Sequence, residues 1–518
     1  MACNSACADE VAPVEPSSPA ATQQEAHFDV MEYRVEGNTV LPAALIEETV
    51  YPYLGEHKTY QDVENARGAL EKAYRDAGYL TVYVDIPEQD VGGKVVRLAA
   101  TEGKVGRLRV NGSRYFSLGR IREGAPSLAE GTVPHFPTVQ KDVAGLNRSA
   151  DRRIAPVLKA GKTPGTVDVD LKVDDVLPLH ASLELNDRYS ADTTRWRLAG
   201  EIRYDNLWQR EHSVSLQFQT APENTEEVRV LSANYLFRPG DSDNMIALYG
   251  VYSRSNVATI GGIGVLGNGH IYGARLILPL PSVDQYSHSL TLGADYKRFD
   301  QTVLFGSDTS STPISYMPFT AMYSASIQAP ESLTQLTAGV NFSVRGVGNN
   351  QQEFENKRSG ARADYFYLKA DVQHTHNLPA GLSLFARMDG QVSGQPLISN
   401  EQFSAGGVES VRGYLESEVL GDSGVHATLE LRSPQLIRNL AMVKDFHAHA
   451  FIDGAHLYVN QALPGEQASY PLASTGLGMQ LKTVRNLNLN LDVAWPQMDA
   501  GRTLKGDLRA HARLWYEF

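Results

Sequence analysis

From Leu179 to Phe518 the chain is a succession of alternating polar and apolar runs, and this pattern restricts the fold more than any other feature of the sequence. Val214, Leu216 and Phe218 alternate with Ser215, Gln217 and Gln219; Leu487, Leu489, Leu491, Val493 and Trp495 alternate with Asn488, Asn490 and Asp492. A period of two places each set on its own face of a strand. The runs are about ten residues long and are separated by Gly, Asp, Asn and Pro, as expected where one face meets lipid and the other water. Candidate strands centre near Leu183, Leu198, Leu216, Val230, Leu248, Leu276, Leu292, Met322, Val340, Leu368, Leu384, Leu429, Ala450, Gly478, Leu489 and Leu514, sixteen in all. The expectation is a transmembrane β-barrel of 16 antiparallel strands over residues 179–518. The sheet has to close, because an open edge in lipid leaves N–H and C=O groups without partners.

In the last run Ala510, Ala512, Leu514, Tyr516 and Phe518 share one face, and Arg509, His511, Arg513 and Glu517 the other, with Trp515 as the exception. Hydropathy is compatible with such a barrel: the mean is -0.29, and no stretch approaches the roughly 18 uninterrupted apolar residues of a membrane-spanning helix. A helical membrane protein is thereby excluded. The net charge of -13 argues against a nucleic-acid partner, which requires clustered Lys and Arg. The only cysteines, Cys3 and Cys7, fall in a Pro/Ala/Ser-rich leader, residues 1–27, expected to be disordered, so no disulfide framework is expected. Lipidation of Cys3 would require a preceding apolar run, which is missing. Met1 to Ala26 has neither the basic start nor the apolar centre of a secretory signal. The expectation is therefore a mature form with an added Met, or a misplaced start.

The first third has a different texture. Residues 28–103 read as strand, helix, helix, strand, strand. Tyr33 and Val35 alternate before the Glu36-Gly37-Asn38 turn, and Pro42 opens a short helix through Leu45, Ile46 and Val50. A second helix is expected from Thr59 to Ala77, with Val63, Ala66, Leu70, Ala73 and Tyr74 at helical spacing and Gly78 as its stop. Strands Tyr79 to Ile86 and Lys94 to Thr101 follow. The order repeats over residues 104–178: a strand Val105 to Val110 before Asn111-Gly112, a helical stretch around Val139 to Ser149, and strands Arg153 to Leu158 and Thr166 to Val173.

Val35-Glu36-Gly37-Asn38, Tyr74-Arg75-Asp76-Ala77-Gly78-Tyr79, Val110-Asn111-Gly112 and Pro164-Gly165-Thr166 occur in the order found in polypeptide-transport-associated (POTRA) domains, and the region resembles two such small α+β units. The resemblance implies domains that receive unfolded polypeptide on a sheet edge or in a groove, through backbone hydrogen bonds that tolerate varied sequences.

Between the strands at Leu384 and Leu429 lies a long segment, Gln391 to Gly424, too rich in glycine and charge to face lipid. It contains Phe403, Ala405-Gly406-Gly407, Ser410-Val411-Arg412-Gly413-Tyr414 and Gly421-Asp422-Ser423-Gly424, followed by Glu430-Leu431-Arg432-Ser433-Pro434. This resembles the VRGY loop of the two-partner secretion transporters (TpsB; haemolysin secretion/activation proteins of the ShlB/FhaC/HecB type), within the wider outer-membrane-assembly superfamily. The resemblance implies a loop, residues 394–424, folded into the barrel. Val411, Arg412, Gly413 and Tyr414 would anchor it, with Arg412 on an inner-wall Asp of a Phe-x-Asp-x-Gly motif. Phe451-Ile452-Asp453-Gly454-Ala455 occupies that place, with Gly and Ala exchanged. Strand parity turns His447, His449, Phe451 and Asp453 to the lumen and Phe446, Ala448, Ala450 and Ile452 to lipid; Glu430 also points inward, as a second acceptor for Arg412. Arg suits this role because its planar fork binds a carboxylate with two parallel hydrogen bonds, which Lys cannot reproduce. Phe518 resembles the aromatic assembly signal of bacterial barrels. The family's N-terminal plug helix is not evident, since Asp9 to Gln24 is rich in Pro and Ala.

The resemblance implies an outer-membrane translocator of a Gram-negative bacterium with its POTRA domains in the periplasm. It would take a TpsA-like exoprotein in extended form and pass it through the barrel (type V, two-partner secretion). Outer-membrane lipid and the barrel-assembly machinery are the other implied partners. An outer-membrane protein assembly factor, which tends to carry more docking domains, and a passive porin, which needs none, are the alternatives. The pairs His447/His449 and His374/His376 lack a third close ligand and read as lumen-facing polar residues rather than metal sites. No nucleophile, base and orienting group come together, so neither catalysis nor a cofactor is expected.

Overall fold

The computed structural model describes residues 27–240, 242–255, 258–260, 263–265, 267–300, 302–305, 308–437 and 440–518. Cys3, Cys7 and the Asp9 to Gln24 stretch of the leader lie outside them. The chain divides into two compact units between Val176 and Leu177.

The first unit holds two α+β modules of one topology. In the first, the strand Glu32–Glu36 runs parallel to Val95–Glu102, which pairs on its other side, antiparallel, with Val82–Asp85. The helices Ala43–Val50 and Tyr60–Asp76 cover this sheet, with Val63, Ala66, Leu70 and Tyr74 of the longer helix buried at helical spacing. That helix begins where it does because Thr59 and Asp62 form a capping box, the Thr59 amide donating to the Asp62 carboxylate at 2.8 Å. The Tyr74 hydroxyl, pushed up to about 12 by burial and then by Glu102, donates to Asn38 Oδ1 at 2.7 Å. In the second module Lys104–Asn111 runs parallel to Thr166–Asp175, which pairs antiparallel with Arg152–Ala160. Its longer helix is Phe136–Leu146. A second helix, Leu118–Glu123, was not expected from the sequence, because six residues are too few to display a helical period. The short pair Phe28–Val30 with Gly55–Lys58 escapes sequence reading for the same reason.

The repeat extends to single atoms. Gly37 and Gly112 follow the first strand of each module at φ 84° and 97°. A Cβ there would lie 2.2 Å from the Ala100 carbonyl oxygen or 2.3 Å from that of Val173, so only glycine fits. A carboxylate at the end of the last strand then collects the amides beyond each turn. Glu102 Oε1 accepts the Thr39 amide at 2.6 Å and that of Val40 at 3.1 Å. Asp175 Oδ2 accepts the Ser113 hydroxyl at 2.7 Å and the amides of Arg114 and Tyr115 at 2.9 and 3.0 Å.

The second unit is a closed barrel of sixteen antiparallel strands. They are β1 (Leu179–Asn186), β2 (Arg197–Leu207), β3 (His212–Thr220), β4 (Arg229–Phe237), β5 (Met245–Arg254), β6 (Asn268–Pro279), β7 (Tyr286–Asp300) and β8 (Ile314–Tyr316, continuing as Pro318–Ala329). The remaining eight are β9 (Ser332–Ser343), β10 (Phe366–Asn377), β11 (Ser383–Ser393), β12 (Ser423–Arg432), β13 (Val443–Tyr458), β14 (Ser469–Thr483), β15 (Leu487–Pro496) and β16 (Arg509–Glu517). Each contains the residue at which the sequence centres a strand. β16 pairs with β1 from Arg513↔Asn186 to Glu517↔Ser182, and the Phe518 amide adds a bond to the Ala181 carbonyl at 2.8 Å, so the ribbon has no free edge.

Alternation sorts the side chains. Leu216, Leu248, Leu292, Leu368 and Leu429 are exposed on the outer face, while Ser215, Gln219, Asp295, Gln391 and Asp453 are buried inside. Trp515, the exception in β16, lies on the inner face: Arg513 stacks on its ring at 4.5 Å and its Nε1 donates to Glu517 at 3.0 Å. The expectation that His374 and His376 face the lumen is corrected. They share the parity of Leu368 and Val372, both exposed on the outer wall, and stack on each other at 5.9 Å near the end of β10. An interfacial position, where amphipathic rings are favoured, accounts for polar rings there.

Candidate functional site

The segment joining β11 to β12 folds back into the barrel. It is shorter than the sequence indicates, residues 394–422, because Ser423 and Gly424 already belong to β12, and Gly424 pairs with Gln391. The glycine is a strand residue that admits the Phe403 ring, to which a Cβ would come within 2.8 Å. Phe403–Ala405 pairs with Val419–Gly421, making a small hairpin whose far end carries Val411 to Tyr414.

Arg412 is the centre of the site. Its Nε and Nη2 donate to Asp453 Oδ2 and Oδ1 at 2.8 and 2.9 Å, its Nη1 donates to Glu430 Oε2 at 2.9 Å, and its own amide donates to Asp453 Oδ2 at 3.1 Å. The guanidinium lies 3.3 Å above the Phe451 ring. Asp453 also accepts the Thr428 hydroxyl at 2.9 Å, and Glu430 accepts Arg432 Nε at 2.7 Å. Two carboxylates and an aromatic face thus surround one cation, and each carboxylate is itself held. Asp492 stands 3.8 Å from Arg412 and is taken up by His449 at 2.6 Å and Asn490 at 3.1 Å.

The rest of the tetrad is apolar or backbone-mediated. Val411 and Tyr414 are fully buried in a cluster with Ala405, Val419, Ala455, Leu457 and Leu472, and the Tyr414 hydroxyl donates to the Met498 carbonyl at 2.8 Å. Ala455, which stands where the motif has glycine, contributes its methyl to that cluster. Gly413 takes φ 94°, and a Cβ would press on Pro496 at 3.1 Å, so a side chain there would strain both loop and wall. Below the tetrad, toward the periplasmic strand ends, a polar cavity of about 600 Å³ is lined by Arg412, Glu430, His447, His449, Asp492 and Arg513.

Sequence reasoning missed a second set of residues, at the extracellular end of the same loop. Asp422 is fully buried and accepts Arg358 Nη2 at 2.8 Å, the Leu397 amide at 2.8 Å, Gln402 Nε2 at 3.2 Å and the Asn460 amide at 2.6 Å. Glu401, also buried, accepts Lys297 Nζ and the hydroxyls of Tyr316 and Tyr367, each at 2.7 Å. The segment between β9 and β10 supplies Arg358 just after the helix Gln351–Lys357, whose Phe354 packs against Tyr316 and Tyr365. Asp422 stands in the Gly421-Asp422-Ser423-Gly424 stretch visible in the sequence, but its partners are far away in the chain, and Glu401 carries no local signal. Phe518 is exposed, and its ring packs against Tyr516 at 4.5 Å.

A closed barrel that stores one of its own loops on an arginine inside the lumen, preceded by small α+β modules, defines the class: an outer-membrane β-barrel transporter with periplasmic POTRA domains. The family model "Haemolysin secretion/activation protein ShlB/FhaC/HecB" matches residues 165–481, and that of the ShlB-type POTRA domain matches residues 28–103. The chain belongs to this haemolysin secretion/activation family of two-partner secretion transporters. Among its relatives, the outer membrane transporter CdiB of Dickeya dadantii is 21% identical over 504 residues, spanning 90% of this chain and 83% of the relative. The heme/hemopexin transporter protein HuxB of Haemophilus influenzae is 20% identical over 479 residues, spanning 86% and 79%. Solved structures share the fold: CdiB from Escherichia coli at TM-score 0.65 and 18% identity, covering 97% of this chain and 93% of that one. BamA from Haemophilus ducreyi lacking POTRA domains 1-3 matches at TM-score 0.58 and 14% identity, covering 95% and 100%.

Proposed function

We propose that this chain exports one partner exoprotein, received in extended form at its two periplasmic modules and passed through the lumen when the 394–422 loop is displaced, without catalysing a reaction. The observation that carries the reading is the bidentate Arg412–Asp453 pair inside a closed barrel. A loop centred on charge-assisted hydrogen bonds in a polar lumen can exchange them for water or for a passing backbone, whereas a purely apolar plug could not. On the periplasmic side, Val82–Asp85 is an edge strand, paired among the described residues only with Val95–Glu102, and it suits strand addition by an unfolded chain. Directionality then comes from folding of the exoprotein outside. The exposed Phe518 ring and the apolar outer wall are the surfaces offered to the barrel-assembly machinery and to lipid.

Deleting the gene from its host is expected to remove one exoprotein from the medium. The wild-type chain should restore it, and Arg412→Ala should not, although that variant still reaches the outer membrane as a folded, heat-modifiable barrel. General loss of outer-membrane proteins on deletion would instead mark an assembly factor. An unchanged medium would mark a porin.

A further inference from the structure

Gly413, beside the central arginine, donates its amide to Nε2 of His511 at 3.0 Å. His511 lies on β16, only 5% exposed, across the lumen-facing wall from the carboxylates that hold Arg412. We propose that His511 is a positioning residue for the loop: its neutral imidazole holds the tetrad through the Gly413 amide, and protonation of that ring releases it. The proposal rests on the reading that the loop is displaced during export.

An imidazole nitrogen accepts a hydrogen bond only while its lone pair is free, so the Gly413 contact assigns the ring proton to Nδ1. A second proton would go on Nε2 and set one N–H against another. The docked loop would then lose an acceptor and leave a buried amide without a partner. The surroundings give the new charge little compensation. Asp187 and Arg188 follow β1, Asp492 faces His511 from β15, Arg509 and Arg513 flank it on β16, and Arg412 approaches from the loop. Both carboxylates are already engaged: Asp187 accepts Arg195 Nη2 at 3.1 Å and the Ala512 amide at 2.9 Å, and Asp492 holds His449 and Asn490. Asp187 Oδ1 is 3.9 Å from His511 Nδ1, within ion-pair but beyond hydrogen-bond length, and Nδ1 has no hydrogen-bond partner among the described residues. The buried site gives an imidazolium little water, and Arg509 and Arg412, the residue that anchors the loop, both face it with like charge. Burial and hydrogen bonding therefore act in the same direction.

The test is conductance of the purified full chain in planar bilayers at about pH 7.5 and about pH 5, because a ring wetted once the loop has left takes up a proton in this range, so acid favours the released loop. Acidification should raise the open fraction of the wild type about tenfold, the effect of orphaning one buried amide. His511→Gln brings an amide oxygen to a similar reach and does not titrate, so it should rescue docking and lose the acid response. His511→Ala should be open at both pH values. Acid opening of His511→Gln equal to that of the wild type would overturn the proposal, and so would a wild type indifferent to pH. If His511→Ala fails to insert, the comparison of wild type with His511→Gln still decides. Arg412→Ala separates the two readings. If it opens the channel while the His511 variants do nothing, only the role of His511 is lost. If it too leaves conductance unchanged, the occluding loop itself is refuted.

Discussion

At the residue scale the account turns on what an arginine can do that other residues cannot. Arg412 gives three side-chain hydrogen bonds to two carboxylates while its planar face rests on Phe451. Lysine keeps the charge but can reproduce neither the fork nor the stacking, so Arg412→Lys is expected to lower export nearly as far as Arg412→Ala; export at wild-type level would show that charge alone suffices. Asp175 offers a second prediction, in the periplasmic unit. Burial pushes its carboxyl up, but the Tyr115 amide, the Ser113 hydroxyl and the Arg114 and Phe116 amides outweigh this and hold it below the usual carboxylate range. Its stabilisation is therefore complete above the unfolded value of about 3.9 and is lost as pH falls through the lower folded value. Asp175→Ala should cost about 1–3 kcal/mol locally near neutral pH, seen as faster amide exchange at residues 113–116 in the intact protein. Unaltered exchange would show that the turn holds without its carboxylate. Residues of this kind are hard to find in a sequence. Asp453 and Glu430 could be placed because strand parity and a motif point to them, whereas Glu102 and Asp175 differ in type and serve the same turn sixty-odd residues upstream.

At the element scale, legibility follows the length of the period. Sixteen strands of mostly eight to sixteen residues display alternation several times over, and all were visible. The six-residue helix Leu118–Glu123 and the seven-residue helix Gln351–Lys357 do not complete two turns, so no pattern announces them. The latter matters, because it delivers Arg358 to Asp422 and thereby ties the extracellular end of the 394–422 loop to the segments between β9 and β10 and between β13 and β14. Arg358→Ala would leave a fully buried carboxylate without its counter-charge, a change that costs roughly 3–5 kcal/mol in comparable settings. Its expected effect is local: proteases added to intact cells should cut within residues 344–365, while the barrel stays folded. Resistance equal to that of the wild type would place the strength of this clasp elsewhere, in the Phe354, Tyr316 and Tyr365 packing.

At the scale of the whole molecule, the closed wall and the stored loop explain each other. Closure satisfies every strand edge in lipid and encloses a lumen wide enough to need filling, and the 394–422 loop is the filling. It touches the wall at separate places: Arg412 on β12 and β13, Gly413 on β16, and Asp422 near the rim. Alternation alone made the barrel readable, and likeness to a known loop located the anchor. The rim contacts join residues 64 and 104 positions apart, which no local pattern encodes. The central claim is that Arg412 and Asp453 act as one device in export. A double-mutant cycle measures this most directly, with Arg412→Ala, Asp453→Ala and the double variant compared for the amount of dependent exoprotein in the medium at equal levels of folded barrel. The account predicts that each single variant loses most of the export and that the double variant is no worse than either. Independent, additive losses, or export at wild-type level from Arg412→Ala, would contradict it.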